Sequence, residues 1–198
     1  SDVSIKIIAK IEKPEAVKNM QAIIDAADGI MVARGDLGIE MPAEKVPLIQ
    51  KNLIDGCLEA GKPVIVATQM LDSMIRNPRA TRAEVSDIAG AVVSHTDATM
   101  LSGETASGIY PVESVQAMAA TIREIETSSM DDMPATIEAA DNAQEAMTNM
   151  ASVLARTTNA RAIVVATRSG ASARFVSRYR PQLPIFAVTP SARVIRQL

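Results

Sequence analysis

Apolar residues gather in short runs rich in Ile and Val near positions 5–11, 29–34, 63–68 and 97–101, and a stretch with apolar positions at helical spacing follows each one, near 14–26, 44–60, 81–93 and 111–127. The pattern predicts four successive β–α units. Pro14 and Pro111 stand where helices begin, at positions whose N–H would have no partner, and Thr81 with Glu84 three residues on forms a capping box. Connections of this kind set strands parallel and cross over right-handed. The expected fold is therefore α/β: a curved parallel sheet with helices outside, amounting to half of a (β/α)8 barrel over residues 1–128.

Ser128–Asp141, with its Ser-Ser and Asp-Asp pairs and a proline, breaks the periodicity and predicts a linker over 129–140. A second α/β domain is expected over 141–198. It would begin with a helix near 141–157 and continue with a strand at Ala162–Ala166, a polar turn at Thr167–Ser172, a helix to about 179 and a strand at Ile185–Val188. The sequence reaches Leu198 with this domain still being built, so the chain is expected to be a portion of a longer protein.

Composition narrows the function classes. The 198 residues are 47% apolar, enough for a sizeable core. A net charge of −3, two Phe, two Tyr and no Trp offer neither a basic face nor a stacking platform, which argues against nucleic acid as a partner. No apolar run approaches the roughly 18 residues of a membrane span, and the N-terminus lacks a signal pattern, so a cytoplasmic location is expected. Cys57 is the only cysteine and falls within an apolar helical stretch, where it is expected to be an inert core thiol. His95 is expected at a helix end or in a loop. The 11 methionines fall largely at helical spacing and read as core.

Chemistry concentrates at the strand ends. Lys10 and Glu12 are two residues apart on one predicted strand and so leave it on the same face. Arg34-Gly35-Asp36 ends the second strand, Thr68-Gln69 the third and Ser102-Gly103-Glu104 the fourth. Four such endings in register predict an active-site rim. Glu12 and Asp36 suit a hard divalent ion such as Mg2+, the alternative being a pair of surface carboxylates. Lys10 could neutralise charge on a transferred phosphoryl group or an enolate, or simply pair with Glu12. The amides of Gly35 and Asp36 could bind a carboxylate or phosphate, and the Thr68 hydroxyl a small anion or a water.

Lys10-Ile11-Glu12, Gly29–Glu40, Ala67-Thr68-Gln69-Met70-Leu71-Asp72-Ser73-Met74, Thr81-Arg82-Ala83-Glu84 and Leu101–Ala106 follow one another as in pyruvate kinase, and the chain resembles that family throughout. The resemblance implies barrel units five to eight and the first part of a C-terminal effector domain. It implies that Glu12 and Asp36 bind Mg2+ or Mn2+, and that Lys10 stabilises the phosphoryl group and enolate as phosphoenolpyruvate phosphorylates ADP. The Gly35 and Asp36 amides with Thr68 would hold the substrate carboxylate. Thr68 would deliver a proton to the enolate through water, with Ser102 near that water and Arg34 and Gln69 as supports. Thr167, Arg168, Ser169, Gly170 and Ser172 resemble the family's phosphate loop for a sugar phosphate effector. Hydroxyls and a glycine ahead of a helix suit an anion, though they also suit plain N-capping. A K+ site outside these residues and a homotetramer are implied for the parent enzyme, and negligible turnover for this chain by itself. Two rivals stay open. Another phosphoenolpyruvate-using barrel enzyme would not need ADP, and a non-catalytic module would bind phosphate esters without a divalent ion.

Overall fold

The protein is described from a computed structural model that covers residues 5–133, 140 and 142–198. Two compact units divide the chain, Ser1–Asp131 and Asp132–Leu198. Residues 134–139 and 141 of the expected linker region lie outside the described residues. Ser129–Asp131 forms a 3-10 turn that packs on helices of the first unit.

In the first unit, strands β1 (Ile8–Ile11), β2 (Gly29–Ala33), β3 (Val64–Ala67) and β4 (Ala98–Met100) form one parallel sheet in chain order. Between and after them come helices α1 (Pro14–Lys18), α2 (Met20–Ala26), α3 (Arg34–Glu40), α4 (Val46–Ala60), α5 (Arg82–Val93), α6 (Gly103–Ala106) and α7 (Pro111–Glu126). Pro14 and Pro111 do open helices, and Thr81 and Glu84 do close a capping box on α5. Val46, Ile49, Leu53, Ile54, Cys57 and Leu58 make the buried stripe of α4. That helix stops at Gly61, whose left-handed backbone (φ 60°) lets the Gly61 and Lys62 amides donate to Leu58 and Cys57.

Local chemistry changes three expectations. The helix expected over 14–26 is broken at Asn19, whose side-chain amide donates to the Glu15 carbonyl (2.8 Å) and competes with the helical ladder. Arg34–Glu40 is a helix rather than an open strand ending. Its two glycines cost about 1 kcal/mol each in a helix and hide the signal. Ser102-Gly103-Glu104 likewise turns at once into α6.

The register fixes the two faces of the sheet. Ile11, Val32, Val66 and Thr99 lie in one row. The first three enter the main core with Ile24, Leu53, Ile54 and Ile88, while the Thr99 hydroxyl reaches the Met118 sulfur of α7 at 3.0 Å. The preceding row of Lys10, Met31, Ile65 and Ala98 has the opposite parity and is partly or fully exposed. Lys10 therefore stands on the face away from the main core.

The second unit holds α8 (Ala143–Thr157), β5 (Ile163–Ala166), α9 (Ala171–Ser177), β6 (Ile185–Val188) and α10 (Ala192–Ile195), with β5 and β6 parallel. Its core of Ala155, Ile163 and Val176 is small, and Val164, Phe186 and Val188 are exposed on the sheet.

Candidate active site

The ends of β1 and β2 bring three charged groups together. The Lys10 ammonium donates to a Glu12 carboxylate oxygen and, at 2.9 Å, to Asp36 Oδ2. All three side chains are between a third and a half exposed, so the cluster opens to solvent and to a ligand. Hydrogen bonds to Asp36 and then Glu12 raise the Lys10 ammonium well above its ordinary range. The same Lys10 hydrogen bond, followed by its charge, holds the Asp36 carboxyl below the usual carboxylate range. Lys10 is thus a fixed cation and Asp36 a fixed anion near neutral pH.

Thr68 follows β3 and is wound left-handed at φ 68°, as is Gln69 at φ 54°. For non-glycine residues this costs about 1–2 kcal/mol each, and a β-branched threonine there is an outlier. The Thr68 hydroxyl donates to the Ala67 carbonyl (2.6 Å) and accepts from the Gly35 amide (2.7 Å). A Cβ at 35 would lie 3.2 Å from Thr68 Oγ1, so a larger residue there would have to displace the hydroxyl by a few tenths of an ångström. The Gly35 amide, expected to await a substrate carboxylate, is thus already hydrogen-bonded within the protein.

The structure brings Lys10, Glu12 and Asp36 together, and Gly35 with Thr68. Ser102 does not hydrogen-bond to either group: its amide donates to Glu104 Oε2 (2.9 Å), and its carbonyl accepts from the amides of Thr105 and Ala106. Glu104, 2% exposed, also accepts from the Leu71 amide at 3.0 Å and so ties the third strand's loop to the fourth. The resemblance implies only a supporting part for Arg34. It is 7% exposed, and its guanidinium reaches the carbonyls of Thr68 and Gln69, the Met70 sulfur and Asp87. The available signal was a cation set directly after an all-apolar strand.

Among the described residues, no group of three or more His, Cys, Asp and Glu forms a metal cage. Glu12 and Asp36 still fit Mg2+, which takes one or two protein carboxylates and keeps the rest of its shell for water and substrate oxygens. Their side chains meet at one ammonium.

In the second unit, Thr167 is buried and its hydroxyl accepts from the Gly170 amide at 3.0 Å. Gly170 (φ 84°) precedes α9, and Arg168 and Ser169 are exposed beside it. A pocket of about 530 Å3 opens at the C-terminal ends of β5 and β6, lined by Thr167, Arg168 and Thr189 among others. Ser172 lies in the first turn of α9 and is partly exposed.

Residues 1–115 match the model of the pyruvate kinase barrel domain, and residues 145–198 that of the pyruvate kinase alpha/beta domain. The chain is 53% identical over 196 residues to pyruvate kinase 2 of Synechocystis sp., covering 98% of this chain and 33% of that protein. It is 51% identical to the pyruvate kinase of Clostridium acetobutylicum and 50% identical to that of Sporosarcina psychrophila, covering 98% of this chain in both cases and 42% and 34% of those proteins. The chain therefore spans between a third and about two-fifths of the length of these relatives.

Proposed function

The chain belongs to the pyruvate kinase family, and from that premise we propose that it forms the metal- and carboxylate-binding portion of an enzyme that transfers the phosphoryl group of phosphoenolpyruvate to ADP. The sheet would be units five to eight of a (β/α)8 barrel. One observation carries the reading: Lys10 is fixed between Glu12 and Asp36, one residue from the Gly35–Thr68 contact.

Glu12 and Asp36 would hold Mg2+ or Mn2+, which when bound neutralises charge on the phosphoryl and enolate oxygens. Lys10 keeps its proton throughout the neutral range and faces the same point, adding a fixed positive charge where the transferred group develops negative charge. The Gly35 amide would exchange its bond from the Thr68 hydroxyl to the substrate carboxylate. That exchange would let the hydroxyl, on turning from the Ala67 carbonyl, pass its proton to a water beside the enolate as it takes one from solvent, so that it is a relay and not the proton's source. Ser102, held by Glu104, would order that water. Thr167, Arg168, Ser169, Gly170 and Ser172 would receive the phosphate of a sugar phosphate effector at the pocket above β5 and β6. A K+ requirement and a homotetramer belong to the same reading of the parent enzyme.

The test is pyruvate formation from phosphoenolpyruvate, ADP and Mg2+, with the chain supplied alone and beside the remaining barrel units of a relative, together with Mn2+ binding by the chain. Activity is expected in the complemented sample, falling about 10²–10³-fold on Lys10→Ala, the magnitude typical of losing one preorganised electrostatic group. Mn2+ binding should weaken on Glu12→Gln and on Asp36→Asn. Mn2+ affinity indifferent to both substitutions would sink the metal assignment.

A further inference from the structure

Arg34 is one of two buried charged side chains in the first unit among the described residues, the other being Glu104. A guanidinium taken out of water is costly unless its donors are met. Here Nε donates to the Thr68 carbonyl at 3.2 Å. Nη2 donates to the same carbonyl at 2.9 Å and to the Gln69 carbonyl at 3.1 Å, and lies 2.7 Å from the Met70 sulfur. Nη1 donates to Asp87 Oδ2 on α5 at 2.5 Å. The carbonyls chosen are those of the two left-handed residues. Gly35, next in sequence, holds the hydroxyl of the same Thr68 through its amide. Two consecutive residues thus grip Thr68 from both ends, one by its main chain and the other by its side chain.

We propose that Arg34 is a positioning residue for the Thr68 hydroxyl. Its planar fork sets the direction of two successive peptide carbonyls, and with them the left-handed turn that aims Oγ1 at the Gly35 amide. Asp87 holds the far nitrogen and sets the plane of the fork. A lysine carries its three donors on one nitrogen, so it could not reach Asp87 and both carbonyls from the three separate points that Nε, Nη1 and Nη2 occupy here. That the aimed hydroxyl serves the reaction rests on the pyruvate kinase reading, whereas the aiming itself does not.

Amide hydrogen exchange of the 15N-labelled chain tests the inference through the Gly35 amide, whose acceptor is Thr68 Oγ1. In Arg34→Lys the Gly35 amide is expected to exchange at least about tenfold faster, equivalent to about 1.4 kcal/mol of lost protection. Val66, in the middle of β3, should keep its protection, and the HN–Hα coupling of Thr68 should leave its left-handed value. Unchanged Gly35 exchange and Thr68 coupling in a variant with protected Val66 would overturn the proposal. If Arg34→Lys does not fold, Asp87→Asn reads the same signal from the partly exposed α5: faster exchange at Gly35 supports the proposal and unchanged exchange refutes it. Failure of Mn2+ to bind the unsubstituted chain would count against the pyruvate kinase reading alone and leave the Gly35 result standing.

Discussion

Cys57 is fully buried on α4, and burial, with the Asp97 carboxylate adding to it, pushes its thiol from an ordinary 9.0 up to about 12. The folded chain therefore keeps a proton that the unfolded chain releases from about pH 9 upward, so this contribution to stability is complete below that pH and declines toward pH 12. Urea midpoints measured from pH 8 to 10 should fall, with a slope approaching 1.4 kcal/mol per pH unit from this group, and Cys57→Ala should flatten the decline. Asp36 has the opposite sense: its lowered carboxyl contributes stability above the usual carboxylate range, lost as acid protonates it. Gln69, exposed and left-handed, gives a second residue-scale test. Gln69→Gly removes the steric cost of its backbone, offset in part by a looser unfolded chain, and should stabilise by about 0.5–1 kcal/mol in denaturant titrations. That Lys10 and Glu12 share a face was legible because strand side chains alternate with period two whatever surrounds them. The grip of Arg34 on Thr68 was not, because 34 positions separate the two and nothing local to Thr68 announces a positive φ.

Among the elements, α5 shows how far a local signature carries. Thr81 and Glu84 were recognisable as a capping box, and the structure extends it: Glu84 also accepts from the amide and hydroxyl of Ser73, at 2.7 and 2.6 Å. Burial alone would raise the Glu84 carboxyl, but these bonds from Ser73 and Thr81 outweigh it and hold the group below its ordinary range. Its contribution to stability is thus present above the normal glutamate range and disappears as pH falls through the lowered value. Thr81→Ala should cost about 1 kcal/mol by thermal or chemical denaturation, and Glu84→Ala more, since Ser73 loses its acceptor too. Leu53→Ala, in the fully buried stripe of α4, should cost about 2–5 kcal/mol. The long helices were legible from their apolar stripes. The short α3 and α6 were not, because each is separated from a strand end by at most two residues and carries glycine, so their residues resemble loop chemistry.

For the chain as a whole, strand order in the first unit was legible because successive β–α units pair neighbour to neighbour. The bare edge near residues 5–11 was legible as well, because an open run of β–α units leaves its first strand unpaired on one side. The edge strand β1 and the residues before it leave Ile5, Ile7 and Ile8 at 79%, 65% and 49% exposed, and β5 and β6 leave Val164 and Phe186 open. Unpaired edges and bare apolar side chains of this kind promote contact between copies. Light scattering of the purified chain should show mass rising with concentration in the micromolar range, and a concentration-independent monomer would contradict this.

The register of the first sheet sets a limit on how such a chain can vary. Lys10 reaches Asp36 because Lys10 pairs with Met31, five positions before that carboxylate. Replacing a residue in β2 would alter one contact, but inserting or deleting one there would turn the following side chains to the opposite face and carry Gly35 and Asp36 off their partners together. Substitutions in β2 should therefore be tolerated in degrees, while changes of length should be nearly absent from functional lineages, and indels should collect in the connections instead.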